Sequence, residues 1–136
     1  MAEANLFHLK IITPTRDFYE GDVTMVELTT TEGDIGVLKN HIPLTAVLAP
    51  GVCYIYETEK DIKVAALHDG FVEITQDAVT ILAETVEWPG EIDVARANEA
   101  RIRAERRLAD NPAGTNIARA TLALKRSAAR IEAAKK

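Results

Sequence analysis

Six arginines in the C-terminal third of the chain have a residue type and spacing that suit phosphate binding. They form two sets that share internal spacings of 7 and 4 residues: Arg96, Arg103 and Arg107, then Arg119, Arg126 and Arg130. On α-helices these spacings place each set on one face. Facing rows of guanidinium groups repel one another, whereas a polyphosphate between them would receive bidentate, charge-assisted hydrogen bonds. A polyphosphate site between two helices is therefore one interpretation of the pattern.

Two other interpretations of these arginines are open. Exposed arginines often pair with carboxylates of their own helix, and from spacing alone such solvated faces, with Glu99, Glu105 and Glu132 as partners, are the simpler interpretation. The dense group at residues 101–107 would also suit a nucleic-acid backbone. The sequence pI of about 5.2 and the lack of aromatic residues after Trp88 argue against that partner. We therefore expect no nucleic acid among the ligands.

The arginines lie in a segment whose composition differs from that of the rest of the chain. Only 5 of the 16 Lys and Arg residues precede Glu91, whereas 15 of the 21 Asp and Glu residues do, which gives net charges of −10 before Glu91 and +5 from Glu91 onward. After Trp88 aromatic residues disappear and Ala and Arg dominate, as in helices. We predict a β-rich domain over residues 1–88 and a basic helical domain over residues 89–136.

The first domain reads as short strands separated by turn-forming residues. The expected strands are residues 7–11, 23–29, 35–38, 44–48, 52–56, 62–67, 71–74 and 79–83. The expected turns or breaks are residues 20–22, 32–34, 49–51, 57–61, 68–70 and 76–77. Strands this short and evenly spaced are typical of a β-sandwich.

The second domain reads as a helical hairpin. Asp93 is a suitable N-cap for a helix that ends near Leu108, residues 109–114 interrupt it, and Thr115 or Asn116 can start a second helix. The apolar seam of the second helix is Ile117, Ala120, Leu124, Ala128 and Ile131, and that of the first is mainly alanine: Ala97, Ala100 and Ala104, with Leu108. Because buried alanines stabilise little, we expect a weakly held hairpin that can open or extend.

Several classes of function find no support in the sequence. There is no Gly-rich phosphate loop, zinc-ligand spacing or nucleophile elbow, so we expect ligand binding without catalysis. The three histidines are too scattered for a metal site, and Cys53, the sole cysteine, reads as a core residue of a strand. No apolar run reaches the roughly 18 residues of a membrane span, and the N-terminus lacks signal-peptide features, so we expect a soluble cytosolic chain.

The segment Ile-Asp-Val-Ala-Arg-Ala at residues 92–97 resembles a family signature. It is similar to the Ile/Leu-Asp-x-x-Arg-Ala pattern that begins the C-terminal domain of the epsilon subunit of F-type ATP synthase. The resemblance also includes residues 18–21, 33–38, 40–44, 49–51 and 70–74, and it extends from about Phe7 to Arg130. It implies an α+β fold, with an N-terminal β-sandwich followed by a C-terminal two-helix antiparallel hairpin, in agreement with the reading from composition and periodicity.

The resemblance also implies a function. The chain would be a non-catalytic subunit of the central stalk of the rotary, proton-translocating enzyme, peripheral to the cytoplasmic face of the bacterial cell membrane. Its sandwich would bind the gamma subunit and the c-ring. Its hairpin would switch between a folded form, favoured by ATP, and an extended form that contacts the alpha and beta subunits and inhibits ATP hydrolysis.

Matched residue by residue, the resemblance implies an ATP site formed by Glu87, Ile92, Asp93, Arg96, Ala97, Arg103, Arg126 and Arg130. We assign its arginines to the phosphates and its other four residues to the adenine and ribose. ATP would be a regulatory ligand with no catalytic cofactor, and the role of magnesium is left open. Asp34 and His41 are candidate c-ring contacts, although Lys39-Asn40 replaces the Pro-Gly that is common in the family before His41. The alternative for His41 is a loop histidine bonded to nearby backbone.

Overall fold

A computed structural model describes residues 5–110 and 114–136. In these residues eight strands precede a 3₁₀ turn and two α-helices. The strands are β1 (Phe7–Ile12), β2 (Asp17–Val23), β3 (Met25–Thr30), β4 (Gly33–Leu38), β5 (Leu44–Leu48), β6 (Gly51–Tyr56), β7 (Ile62–Ile74) and β8 (Ala78–Glu87). The 3₁₀ turn is Pro89–Glu91, and the helices are α1 (Val94–Asp110) and α2 (Ile117–Ala134). The predicted α+β fold, a β-sandwich followed by two helices, is confirmed.

The strands pair in the order β2-β1-β8-β7-β5-β3-β4, and β6 pairs with both β3 and β7. The β1–β8 pair is parallel and the other pairs are antiparallel. β5 and β6 run in the same direction along one edge of β7. Residues 49–50 therefore separate two consecutive strands but do not reverse the direction of the chain. The long β7 therefore pairs with β8 along one edge and with β6 and β5 in succession along the other.

Alternating side chains of the strands form the core. In β1, Phe7, Leu9 and Ile11 are buried, whereas His8 faces solvent. Cys53 lies in the same core, as predicted, and burial raises the pKa of its thiol to about 12, so that it stays protonated and unreactive.

The predicted turn at residues 68–70 is wrong, because β7 continues through it. Asp69 and Gly70 have φ angles of 46° and 134°, but His68 and Gly70 remain paired with Thr85 and Ala83 of β8. A Cβ atom at Gly70 would lie 2.0 Å from the carbonyl oxygen of Leu82. These turn-forming residues thus bend the strand where β8 approaches closely and do not end it.

The predicted turn at residues 20–22 is also wrong, because these residues lie within β2, a strand that the sequence pattern missed. Gly21 pairs with Leu9 of β1, and the flanking acidic side chains of Glu20 and Asp22 face outward to His8, at 2.8 and 3.4 Å. Their turn propensity is overridden because an outward-facing strand position accepts a charged side chain.

The two helices begin where their caps are expected. The Asp93 carboxylate accepts a hydrogen bond from the Arg96 N–H at 3.0 Å, and Asn116 does the same for Arg119. Residues 111–113 of the predicted break at residues 109–114 lie outside the described residues. None of the described helices is long and apolar enough to cross a membrane.

The hairpin contacts the sandwich mainly through α2, which packs on β6 and β7 and also on α1. Its buried residues are Ala120, Ser127, Ala129 and Ala133. The predicted seam is therefore wrong at Ile117, which is 54% exposed, and at Ala128. The error arises because α2 packs against both α1 and the sandwich. A single row of apolar residues at helical spacing predicts only one buried face.

Candidate functional site

A cleft of about 430 Å³ lies where the end of β8, the start of α1 and α2 meet. It is lined by Glu87, Glu91, Asp93, Arg96, Ala97, Ala100, Arg103 and Arg130. Six of the eight predicted ATP-site residues therefore share one cleft: Glu87, Asp93, Arg96, Ala97, Arg103 and Arg130. Its volume is within the range of small-molecule sites.

Three guanidinium groups from two helices converge on this cleft. Arg96 and Arg103 lie two turns apart on α1, and Arg130 comes from α2. The Nε of Arg130 donates a hydrogen bond to Oε1 of Glu87 at 2.6 Å, which holds this guanidinium at the boundary between hairpin and sandwich. The site is therefore assembled only while α2 stays docked near β8.

Carboxylates form the other part of the lining. Glu91 accepts hydrogen bonds from Arg16, at 2.7 Å, and from the backbone N–H of Trp88, at 2.9 Å, and both contacts lower the pKa of its carboxyl. Asp93 caps α1 through Oδ1. Glu91 and Asp93 thus fix the entrance to the helix as well as lining the cleft.

The lining combines three arginines with three carboxylates at a helix N-terminus. Guanidinium groups and the positive end of a helix favour phosphate oxygens, whereas carboxylates accept hydrogen bonds from amino and hydroxyl groups. A ligand that carries both a polyphosphate and hydrogen-bond donors would match both sets of groups. Among residues 5–110 and 114–136, no group of three or more His, Cys, Asp or Glu residues is placed to hold a metal ion.

Two predicted ATP-site residues, Ile92 and Arg126, lie outside the lining of the cleft. Ile92 is 8% exposed and packs in a small apolar cluster with Ala66 of β7 and Ala133 of α2. Arg126 donates two hydrogen bonds to Oδ2 of Asp69, from Nε at 3.0 Å and from Nη2 at 2.5 Å. Ile92 thus helps to anchor α2 to the sandwich, and Arg126 pairs with a carboxylate of β7.

His68 is a buried residue of this region that the sequence reading did not single out as functional. It is 1% exposed, and within the described part of the chain neither ring nitrogen has a hydrogen-bond partner. Its Nε2 lies 3.5 Å from Oε1 of Glu87. Burial, and after it the charge of Arg130, lowers the pKa of the imidazole to about 4. The one sequence feature that could have identified this buried histidine is its position in an otherwise apolar strand.

The remaining arginines of the two rows are exposed and do not line the cleft: Arg107 and Arg119. Local pairing occurs elsewhere on the hairpin, where Arg101 meets Glu105 at 3.4 Å and Lys136 meets Glu132 at 3.2 Å. The interpretation of the arginines as solvent-exposed residues therefore applies to part of the basic surface. Arg96, Arg103 and Arg130 instead line the cleft.

A larger concavity of about 940 Å³ lies on another part of the sandwich, between the loop at residues 57–60 and the end of β4. Among the described residues, its cationic side chains are Lys39 and Lys60 alone, and none of its lining residues also lines the hairpin cleft. Because it lacks converging guanidinium groups, its size alone does not make it the better phosphate site.

The candidate c-ring residues lie along one exposed edge. Asp34 is an exposed residue of β4, the terminal strand of the pairing order, and His41 lies in the loop that follows. The His41 Nδ1 donates a hydrogen bond to the carbonyl oxygen of Ile42 at 2.7 Å. This is the contact that the backbone-bonded alternative describes, and the c-ring assignment stays a prediction.

The sandwich also carries an exposed apolar row that crosses three strands. Val47 of β5 pairs with Phe71 of β7, which pairs with Leu82 of β8. Their exposed fractions are 58%, 44% and 38%. A contiguous exposed row of large apolar side chains is typical of a surface that another protein covers.

Comparisons with known proteins cover nearly the whole chain. Residues 6–89 match the family described as "ATP synthase, Delta/Epsilon chain, beta-sandwich domain", and residues 91–135 match "ATP synthase, Delta/Epsilon chain, long alpha-helix domain". The ATP synthase epsilon chain of Caldanaerobacter subterraneus is 45% identical over 96% of this chain and 94% of its own. That of Halalkalibacterium halodurans is 42% identical over 93% of this chain and 96% of its own.

Solved structures resemble the fold. A chain in the cryo-EM structure of the Euglena gracilis mitochondrial ATP synthase, OSCP/F1/c-ring in rotational state 1, aligns with a TM-score of 0.78 at 21% identity. The alignment covers 94% of the present chain and 80% of that chain. At this identity, the likeness supports the architecture of sandwich and hairpin.

Proposed function

Because the chain belongs to the ATP synthase delta/epsilon family, we propose that it is a non-catalytic epsilon subunit of the rotor, with a hairpin that senses ATP and restrains ATP hydrolysis. The observation that carries this proposal is the convergence of Arg96, Arg103 and Arg130 in one cleft at the base of the hairpin. Bacterial relatives named ATP synthase epsilon chain, at 42–45% identity, support the place of the chain in that enzyme.

ATP would bind in the cleft with its phosphates toward the arginines. Arg96 and Arg103 present guanidinium groups from α1, and Arg130 presents one from α2. Glu87, Asp93 and Ala97 line the remainder and would meet the adenine and ribose. Because the site contains groups from both helices and from β8, the ligand would bind well only when the hairpin is folded.

The docked hairpin contacts the sandwich through a small apolar cluster and through ion pairs. An apolar cluster joins Ile92 and Ala133 to Ala66, and two ion pairs, Arg126–Asp69 and Arg130–Glu87, join α2 to the sandwich. A ligand that binds only the docked form would stabilise it by mass action, and falling ATP would release it. Released helices with a net charge of +5 would be drawn to acidic surfaces of the alpha and beta subunits.

The sandwich would provide the contacts to the rotor. The apolar row Val47, Phe71 and Leu82 suits a stable contact with the gamma subunit, because large apolar side chains form the energetic centre of such interfaces. The edge strand β4 and its following loop, with Asp34 and His41, would face the c-ring. The subunit would thus be peripheral to the cytoplasmic face of the bacterial membrane, held there by the proton-translocating complex.

Calorimetric titration of the isolated protein with ATP, at fixed magnesium, tests the nucleotide site. Arg103→Ala should weaken ATP about tenfold or more, since a charge-assisted bond contributes roughly 1.5 to 3 kcal/mol. Arg101→Ala is the matched control, because Arg101 lies on the same helix, carries the same charge and pairs with Glu105 outside the cleft. Equal losses in the two variants, or no saturable binding by the parent protein, would refute the proposed site.

A further inference from the structure

Arg126 has a carboxylate partner in the folded protein, and this partner lies on the sandwich. We propose that Asp69 competes with the phosphates of the ligand for Arg126 and thereby sets the affinity of the cleft for ATP. The inference rests on the proposed function, since it assumes that ATP is the ligand. The residues of the predicted ATP site lie only at the end of β8 and in the hairpin. The inference adds a residue of β7 to those that determine the affinity for ATP.

The contact with Asp69 occupies one edge of this guanidinium, the edge formed by Nε and Nη2. Nε and Nη2 of Arg126 both donate to Oδ2 of Asp69, at 3.0 and 2.5 Å. This is the edge through which an arginine also binds a phosphate in bidentate fashion. The side chains of Arg126 and Asp69 are 41% and 29% exposed. The pair is thus partly shielded from solvent, where charges interact more strongly than on an open surface.

Arg126 is nevertheless within reach of the nucleotide site. It lies four residues before Arg130 on α2, so the two side chains are neighbours on one helix face, and Arg130 lines the cleft. Once released from Asp69, the long side chain of Arg126 can turn toward the position of the phosphates. Contact with Asp69 and contact with a phosphate are therefore alternatives for the same guanidinium edge.

The carboxylate of Asp69 is not needed for the backbone conformation at this position. Asp69 has a φ of 46°, a left-handed conformation that Asn adopts as readily as Asp. Asp69→Asn therefore removes the charge and keeps both the shape and the bend of β7. The neutral amide still accepts a hydrogen bond from Arg126, but it no longer repels a phosphate or holds the guanidinium by charge.

The test compares ATP binding by the full-length isolated protein and its variants, by calorimetry at fixed magnesium. Asp69→Asn should tighten ATP binding roughly tenfold, because the competing ion pair is replaced by a weaker hydrogen bond to an uncharged acceptor. In an Arg126→Ala background the same substitution should change the affinity by less than about twofold, because the contested group is absent. Glu105→Gln, which removes one negative charge from the outer face of α1, controls for net charge and should have little effect.

Each other outcome counts against the proposal in a distinct way. If Asp69→Asn binds ATP as the parent protein does, while Arg103→Ala weakens binding, the ATP site stands and the role of Asp69 is refuted. If Asp69→Asn weakens binding, the carboxylate serves only to dock the hairpin, and competition is refuted. If neither the parent nor any variant binds ATP saturably, the proposed function fails and the inference fails with it.

Discussion

Acidification should weaken the folded protein through His68, which is buried beneath the hairpin. The groups that face its imidazole are Glu87 and Asp69, which favour the protonated form, and Arg130 and Arg126, which oppose it. Burial is the largest influence, and the pKa of His68 falls from 6.5 to about 4. Because the folded-state pKa is lower, the unfolded chain binds more protons between these values.

The sign and size of the effect follow from this difference. The stability contributed by neutral His68 is fully present above pH 6.5 and is lost progressively as the pH falls toward 4. At about 1.4 kcal/mol per pKa unit, the full loss is roughly 3 kcal/mol. Glu57 and Glu91, whose pKa values are lowered in the fold, lose their contributions at lower pH, below the ordinary carboxyl value of 4.5. The interval from pH 6.5 to about 5 therefore reports mainly on histidine.

Urea unfolding at several pH values across this interval measures the effect. His68→Leu should remove most of the pH dependence of the free energy of unfolding, because an apolar side chain cannot take up a proton. His8→Gln is the control: His8 is exposed and its pKa is raised by Glu20 and then by Asp22, so its contribution is lost as the pH rises. If the parent and His68→Leu lost stability with the same slope, the assignment of the acid sensitivity to His68 would be refuted.

Two further predictions concern the sandwich. Gly70→Ala should destabilise the protein by about 3 kcal/mol or more in chemical unfolding, because the new Cβ would lie 2.0 Å from a backbone oxygen at a φ of 134°. Gly90→Ala is the control and should be tolerated, because its Cβ would meet no atom within 4 Å. Phe71→Asp should leave the circular dichroism spectrum unchanged and weaken co-purification with the gamma subunit, with outward-facing Glu73→Ala as the control. Unchanged co-purification would show that the apolar row is not the gamma contact.

The alternation of apolar residues predicted most of the strands. The predictions failed where residues that usually form turns lie within a strand. Gly21 and its acidic neighbours have the composition of a turn, yet pairing with β1 keeps them in a strand. Asp69 and Gly70 likewise have turn chemistry, but β8 pairs with the strand on both sides of the bend. In both cases long-range pairing outweighed local propensity, which a single sequence does not show.

The helices were easier to predict than their packing. Their caps, Asp93 and Asn116, act through hydrogen bonds to residues three positions later, so the sequence contains the necessary information. The exposure of Ile117 and Ala128 depends on how α2 lies between α1 and the sandwich. A helical period describes one buried face, and α2 has two.

The candidate site was predictable to a similar extent. The signature at residues 92–97 and the arginine spacing identified five residues that share the cleft, and the family resemblance added Glu87. The partner of Arg126 was not predictable, because Asp69 lies 57 residues away and no local pattern links the two. The burial of His68 also depends on the docked hairpin, since its surroundings include Arg126 and Arg130 from α2.

The most direct test of the proposal that the hairpin senses ATP is the rate of ATP hydrolysis by the assembled enzyme over a range of ATP concentrations. The parent subunit is compared with a chain that ends at Trp88 and with Arg103→Ala. Truncation should raise hydrolysis, chiefly at low ATP, and Arg103→Ala should extend inhibition to higher ATP, because the docked hairpin is then less stabilised by the nucleotide. Identical rates for all three enzymes at every ATP concentration would contradict a nucleotide-controlled hairpin.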